Sequence, residues 1–137
     1  MLTNKQMEQF AELAVRVGAN MQPNQEVVIR CDVKCQDFAH VIAQKAYEFG
    51  AKRVHMQWLD ETLNRIERLN ASKQTLAKYP PYIKAQDKYL IKHKVCLISI
   101  SAGDPNVYVG CDPDKLATAE RAVLKGRAQI RKATMSN

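Results

Sequence analysis

A short apolar run, Val95–Ile100, is followed at once by Ser-Ala-Gly-Asp-Pro, and this pattern constrains the fold more than any other in the chain. The run is too short for a helix and rich in branched side chains, which predicts a buried strand. A strand that is apolar on both faces needs cover on both, as in a parallel sheet between layers of helices. Because glycine and proline interrupt strands, the residues that follow predict a loop at the carboxyl end of this strand.

That loop is the candidate site of the chain. In open α/β sheets, ligands bind at the loops that leave the carboxyl ends of the strands. Ser101, Gly103 and Asp104 are therefore candidate residues of a substrate cleft, since they offer a hydroxyl, an unhindered backbone and a carboxylate. An ordinary strand-to-helix turn accounts for the same residue types, and both interpretations stay open at this point.

The first half of the chain predicts a strand–helix–strand unit. Residues 25–31 contain adjacent β-branched side chains, helical spacing follows from Asp32 to Gly50, and residues 52–59 alternate between apolar and polar side chains, as in a strand near the sheet edge. Such a unit forms parallel strands joined by a right-handed crossover. The predicted fold class is α/β, a three-layer, open, parallel sheet of the Rossmann-like kind with helices on both faces. One α/β domain, residues 1–137, accounts for the whole chain.

Local signals mark the expected helix ends and faces. Thr3 with Gln6 resembles a capping box, and Gly18 is expected to end the first helix in a left-handed backbone conformation. Asp60 and Asp112 are expected to cap later helices. Helical spacing predicts apolar stripes on the first and third helices: Met7, Phe10, Leu13, Ala14 and Val17, then Leu63, Ile66 and Leu69.

Charge is distributed unevenly along the 137 residues. The formal net charge is +7, with 46% hydrophobic and 26% charged residues, which is typical of a folded globular protein. Residues 1–60 are balanced, whereas the stretch from Arg121 to the end holds five basic residues and no acidic one. Such an end suits nucleic acid, an anionic surface or an acidic surface within a longer polypeptide, and a solvated helix is the plain alternative.

The amino terminus and the cysteines predict the cellular setting. No apolar run approaches the roughly 20 residues that span a bilayer, and the chain opens directly on a polar amphipathic pattern without a signal sequence. No membrane partner and a cytoplasmic location are therefore expected. The four cysteines are then expected to be reduced thiols rather than disulfides.

Motifs that carry a self-contained active site are missing from the sequence. It holds no His-Glu-x-x-His, no glycine-rich phosphate loop and no Gly-x-Ser-x-Gly, so no catalytic residue and no metal ligand is predicted in this segment. Asp32 and Asp104 both follow strands; as neighbours they could bind a cation or share a proton, and otherwise they are caps. Two alternatives stay open: a nucleic-acid-binding module using the tyrosines and lysines of residues 78–92, and a small-ligand site at Ser101 and Asp104.

Four segments carry a resemblance to a known family: Phe10–Ile29, Ala46–Trp58, Ile98–Pro105 and the closing Arg131–Asn137. In their order and spacing they resemble the amino-terminal domain of the thermophilic metallo-aminopeptidases, the aminopeptidase T, aminopeptidase S and PepS type. Asn24 stands where that family often has glycine, and the same turn tolerates asparagine. The resemblance extends along nearly the whole chain.

The resemblance implies that residues 1–137 form the amino-terminal domain of a longer, two-domain enzyme. Such enzymes remove amino-terminal residues from peptides with two divalent metal ions, of the zinc or cobalt type, whose ligands belong to the carboxy-terminal domain. An inactive piece with an architectural role is therefore expected, as a cleft wall or as an inter-domain or dimer contact. Implied partners are the carboxy-terminal catalytic domain, peptide substrates and, in the parent, a second copy in a homodimer. The stretch Arg121–Lys132 and the Asp104 loop are expected near the inter-domain surface.

Overall fold

The computed structural model describes residues 3–100 and 103–135. The chain divides into two compact units, of which unit 1 contains Met1–Leu59 and His93–Ala102, and unit 2 contains Asp60–Lys92 and Gly103–Asn137. Within the described residues, no helix is long and apolar enough to cross a membrane. The expectation of one domain that belongs to a longer protein stays a prediction.

Unit 1 is built on a parallel sheet of three strands. β1 (Glu26–Asp32) lies between β2 (Arg53–Leu59) and β3 (Cys96–Ile100), in the order β2-β1-β3. Both neighbours pair with β1 in parallel and in continuous register. The predicted α/β class with a parallel sheet is confirmed, as is the position of β2 at an edge of this sheet.

One face of the sheet packs against two helices of the same unit. α1 (Asn4–Leu13) begins at the predicted capping box of Thr3 and Gln6, and α2 (Gln36–Glu48) follows β1 through the 3-10 turn Val33–Cys35. Apolar burial of this kind contributes about 25 cal/mol per Å² removed from water. The buried core consists of Ala11, Val15, Met21, Val27, Ile29, Cys31, Ala39, Ile42, Ala46, Cys96 and Ile98.

The end of the first helix differs from the prediction for Gly18, which is wrong. A π-helical turn, Ala14–Gly18, extends α1, and the Ala19 N–H donates to the Ala14 carbonyl oxygen at 2.9 Å. Because this wider turn carries the chain past Gly18 without a positive φ, the left-handed residue is Asn20, with φ 49°. Asparagine tolerates that conformation better than most non-glycine residues.

α1 presents small side chains to the core and large ones outward. Ala11 and Val15 are fully buried, whereas Phe10, Leu13 and Val17 are 52%, 57% and 71% exposed. The residues that this helix buries are therefore not the apolar stripe that its sequence predicted. Close packing of α1 on α2 admits alanine and valine at the contact and leaves the larger residues outside.

Unit 2 is helical, and no strand occurs among its described residues. Side chains of Asp60, Ser72 and Asp112 accept hydrogen bonds from backbone N–H groups in the first turns of three of its helices, which confirms the caps predicted at Asp60 and Asp112. The helices are α3 (Glu61–Asn70), α4 (Lys73–Leu76), α5 (Pro81–Lys92), α6 (Pro113–Gly126) and α7 (Ala128–Met135).

A polar contact lies in the interior of unit 2. The Tyr79 hydroxyl donates to Asp87 Oδ2 at 2.7 Å, and Asp87 is only 5% exposed. The Tyr79 ring lies against Gly126 at the end of α6. Burial and the hydrogen bond to Asp87 raise the pKa of Tyr79, and the neighbouring Arg127 opposes that rise. The tyrosine thus joins the middle of α5 to the junction of α6 and α7.

Replacing Tyr79 by phenylalanine is expected to lower the free energy of unfolding by about 1–3 kcal/mol, because a buried carboxylate loses one of its donors. Since the folded pKa of Tyr79 is raised, its hydroxyl stabilises the fold fully below the ordinary tyrosine pKa of about 10, and this advantage declines as the pH rises further. Urea unfolding at about pH 8 and about pH 11 measures both effects. Tyr82→Phe, at a side chain 67% exposed, is the control and should change neither value.

Candidate functional site

The loop after β3 holds its candidate residues at the surface. Ser101 lies outside the described residues, and Gly103 and Asp104 are exposed. Asp104 Oδ1 accepts a hydrogen bond from the Asn106 N–H at 2.9 Å, and the Asp104 N–H faces the Glu61 carboxylate at 3.3 Å. The Asp104 carboxylate therefore forms a turn, as the plainer interpretation expected. A role for these residues in a substrate cleft stays a prediction.

The polar side of α3 holds this loop in place. Arg65 Nη1 donates to the carbonyl oxygens of Val107 and Val109 at 2.8 and 2.6 Å. One turn further along, the Arg68 guanidinium lies 5.7 Å from the centre of the Tyr108 ring, a cation–π contact. Glu61, Arg65 and Arg68 recur at helical spacing, so a single face of α3 positions the loop.

Arg65→Lys is expected to loosen the loop while preserving the charge. Both hydrogen bonds come from one nitrogen, Nη1, and a lysine ammonium on a shorter, more flexible stem does not hold that position as the planar guanidinium does. Loss of one charged hydrogen bond, about 1.5 kcal/mol, corresponds to roughly tenfold faster exchange of the loop amides.

Hydrogen exchange at the amides of Val107 and Cys111 measures this effect. Arg16→Lys is the matched control, because Arg16 forms an exposed pair with Glu12 on α1. Unchanged exchange at both loop amides in Arg65→Lys would contradict the assigned role of Arg65.

The second candidate carboxylate, Asp32 at the end of β1, is a cap. Asp32 is only 3% exposed, and its Oδ1 accepts a hydrogen bond from the Lys34 N–H at 2.9 Å at the start of the 3-10 turn. Asp32 in unit 1 and Asp104 in unit 2 thus each have a local structural partner. This is the ordinary use of aspartate at strand and helix ends.

Side chains of the metal-binding type are engaged in other contacts. Among residues 3–100 and 103–135, no group of three or more His, Cys, Asp or Glu side chains could hold a metal ion. His55 Nε2 lies 2.9 Å from Glu26 Oε1, and the His40 ring meets the edge of the Trp58 ring. The cysteines are free thiols, and burial raises the pKa of Cys96. Where the metal ligands of the family lie stays a prediction.

Sequence reasoning missed a polar level inside the sheet. Arg30, in the central strand, is only 7% exposed, and its Nε donates to Gln57 Oε1 on β2 at 2.7 Å. The register places Arg30 between Gln57 and Ser99, so polar side chains occupy one level of all three strands. A buried guanidinium requires such partners. The available signal was an arginine within an otherwise apolar run.

The tyrosines considered for nucleic acid have different environments. Tyr79 is engaged with Asp87, whereas Tyr82 and Tyr89 are 67% and 43% exposed on α5. Only the latter two could present a ring for stacking. The nucleic-acid alternative is not favoured by any contact described here.

The parallel sheet of unit 1 places the protein in the α/β class. The sequence profile of the M29 family, described as thermophilic metalloprotease, matches residues 3–137. The chain belongs to this family.

Relatives with established names agree with this assignment. Aminopeptidase PepS of Streptococcus thermophilus is 33% identical over 131 residues, which cover 96% of this chain and 32% of that protein. Aminopeptidase 2 of Geobacillus stearothermophilus is 32% identical over 133 residues, covering 97% of this chain and 32% of the relative. The structure of wild-type AmpT from Thermus thermophilus superposes with a TM-score of 0.84 and 28% identity, over 93% of this chain and 32% of that one. The chain spans about a third of the length of these relatives.

Proposed function

We propose that this chain serves as the amino-terminal part of a metal-dependent aminopeptidase, which removes amino-terminal residues from peptides. The observation that carries the proposal is the agreement of sequence and fold over the same region: the family profile covers residues 3–137, and the AmpT structure superposes on 93% of the chain. The proposed enzyme class and peptide substrates are those of a longer protein, the parent, that has the full length of these relatives.

The role of this part is architectural: it forms a wall of the substrate cleft, or an inter-domain or dimer contact. Support comes from the strand-end loop, whose Asp104 is exposed while its backbone N–H faces Glu61 on α3. The basic residues of α6 and α7 support it too, since Arg121, Lys125 and Arg131 are exposed and could face an acidic surface.

The parent's remaining properties follow as parts of the same proposal. Two divalent ions, of the zinc or cobalt type, would be held by residues outside this segment and would activate water and polarise the peptide carbonyl. A homodimer and a cytoplasmic location complete the proposal, the latter in keeping with four free thiols.

Peptidase assays on two proteins test the proposal. The first is this chain alone, and the second joins residues 3–137 to about two-thirds of PepS, the carboxy-terminal part that the match leaves uncovered. Release of amino-terminal residues from short peptides, with cobalt or zinc added, is expected only from the joined protein. Metal-dependent turnover by the chain alone would contradict the architectural role. A folded joined protein without turnover would contradict the assignment of this chain to the enzyme.

A further inference from the structure

The third helix has its polarity reversed relative to an ordinary amphipathic helix of a globular protein. Its inward-facing side chains are polar, namely Glu61, Arg65 and Arg68, and each contacts the loop at residues 104–109 of unit 2. Its apolar side chains face outward: Leu63, Ile66 and Leu69 are 60%, 50% and 46% exposed. A surface helix normally places its apolar stripe on the core.

The contacts of the polar side prevent α3 from turning its apolar stripe inward. Rotation about the helix axis would break two hydrogen bonds from Arg65 to loop carbonyl oxygens and the contact of Arg68 with Tyr108. Leu63, Ile66 and Leu69, which we call the α3 face, are therefore held outward by the structure of unit 2 itself. The remaining exposed residues of this helix are Thr62, Glu67 and Asn70, so the exposed side of α3 carries a single formal charge, and that charge is paired with Arg68.

The size of the α3 face indicates what kind of partner covers it. Three half-exposed aliphatic side chains present on the order of 300 Å², against roughly 800 Å² per partner in a stable complex between separate proteins. A contact this small is sufficient when the two surfaces belong to one polypeptide, because the tether supplies a high effective concentration. The net charge of +7 also opposes pairing of this chain with a second copy.

We propose that the α3 face is the docking surface for the carboxy-terminal part of the longer polypeptide, through an apolar patch on that part. The relatives provide the polypeptide that this requires, since the matched region covers only 32% of their length. The inference rests on the proposed function and adds to it the element that joins the two parts. It adds α3 to the basic stretch Arg121–Lys132, which the proposed function already directs toward an acidic surface.

Cysteine labelling compares the α3 face in two contexts. Ile66→Cys is introduced into this chain alone and into the chain joined to the carboxy-terminal part of PepS. The rate of alkylation at that position is followed by mass spectrometry of its peptide. We expect at least tenfold slower labelling in the joined protein. Tyr82→Cys, at an exposed position on α5, is the matched control and should label at similar rates in both.

The outcomes separate this inference from the proposed function. Slow labelling at position 66 in a joined protein without turnover would support docking and contradict the proposed function. Turnover together with fast labelling at position 66 would support the proposed function and contradict docking. Equal slowing at positions 66 and 82 would contradict the assignment to α3. A dimer of the chain alone that Ile66→Asp dissociates would assign the face to a second copy. If the joined protein does not fold, labelling at the AmpT position that superposes on Ile66 decides, and fast labelling there would overturn the inference.

Discussion

Replacing Gly126 by alanine is expected to destabilise the protein by about 1–3 kcal/mol, lowering the midpoint of thermal unfolding by roughly 3–10 °C. A Cβ at this position would overlap Cγ and Cδ2 of the Tyr79 ring and lie 2.6 Å from Cδ1. The ring has no free path of retreat, because its hydroxyl is bonded to the buried Asp87 at 2.7 Å. Either that hydrogen bond or the end of α6 must therefore shift.

Gly18→Ala is the control for this substitution, and it tests the same chemical change without the clash. The nearest atom that its Cβ would meet is the Leu13 carbonyl oxygen at 3.9 Å, and Gly18 has no positive φ. Its effect should stay within about 0.5 kcal/mol. A double-mutant cycle with Tyr79→Ala adds a second test, because Gly126→Ala should cost little once the ring is absent. A Gly126→Ala variant as stable as the unsubstituted chain would contradict the packing described for unit 2.

Features encoded by a few adjacent residues were predictable from the sequence. The strands appear as short apolar or alternating runs, and β3 lies within the predicted Val95–Ile100. The caps at Asp60 and Asp112 follow equally local chemistry, since an aspartate accepts hydrogen bonds from the N–H groups two or three residues later. Local patterns of this kind do not depend on what packs against them.

Features that depend on distant partners were not predictable. Helical spacing on α3 indicated an apolar stripe but not that a loop some 40 residues later would occupy the opposite, charged face through Arg65. The same limit applies to Gly18, where a π-helical turn moved the left-handed residue to Asn20. At the candidate site, the residue types around Asp104 were consistent with a cleft and a turn alike; the Asn106 N–H shows that the carboxylate forms a turn, and the cleft role stays a prediction.

Ile29→Ala in the central strand and Ile66→Ala on α3 make the same chemical change in opposite environments. Ile29 is fully buried in the core of unit 1, so its truncation is expected to cost about 2–5 kcal/mol through lost burial and the cavity left behind. Ile66 is 50% exposed, so its truncation should change the stability of this chain by less than about 0.5 kcal/mol. Urea unfolding of both variants measures the difference.

The same two substitutions can also be compared in the chain joined to the carboxy-terminal part of PepS. Ile29→Ala should cost a similar amount in both contexts, because the core around β1 is complete within unit 1. Ile66→Ala should become costly only in the joined protein, where truncation would remove contacts across the α3 face. An Ile66→Ala cost that is already large in the chain alone would mean that the side chain is buried in solution, and the outward orientation of α3 would then be wrong. Comparing Ile66→Ala in the two proteins therefore measures directly whether the apolar side of α3 is exposed in this chain and covered in the joined protein.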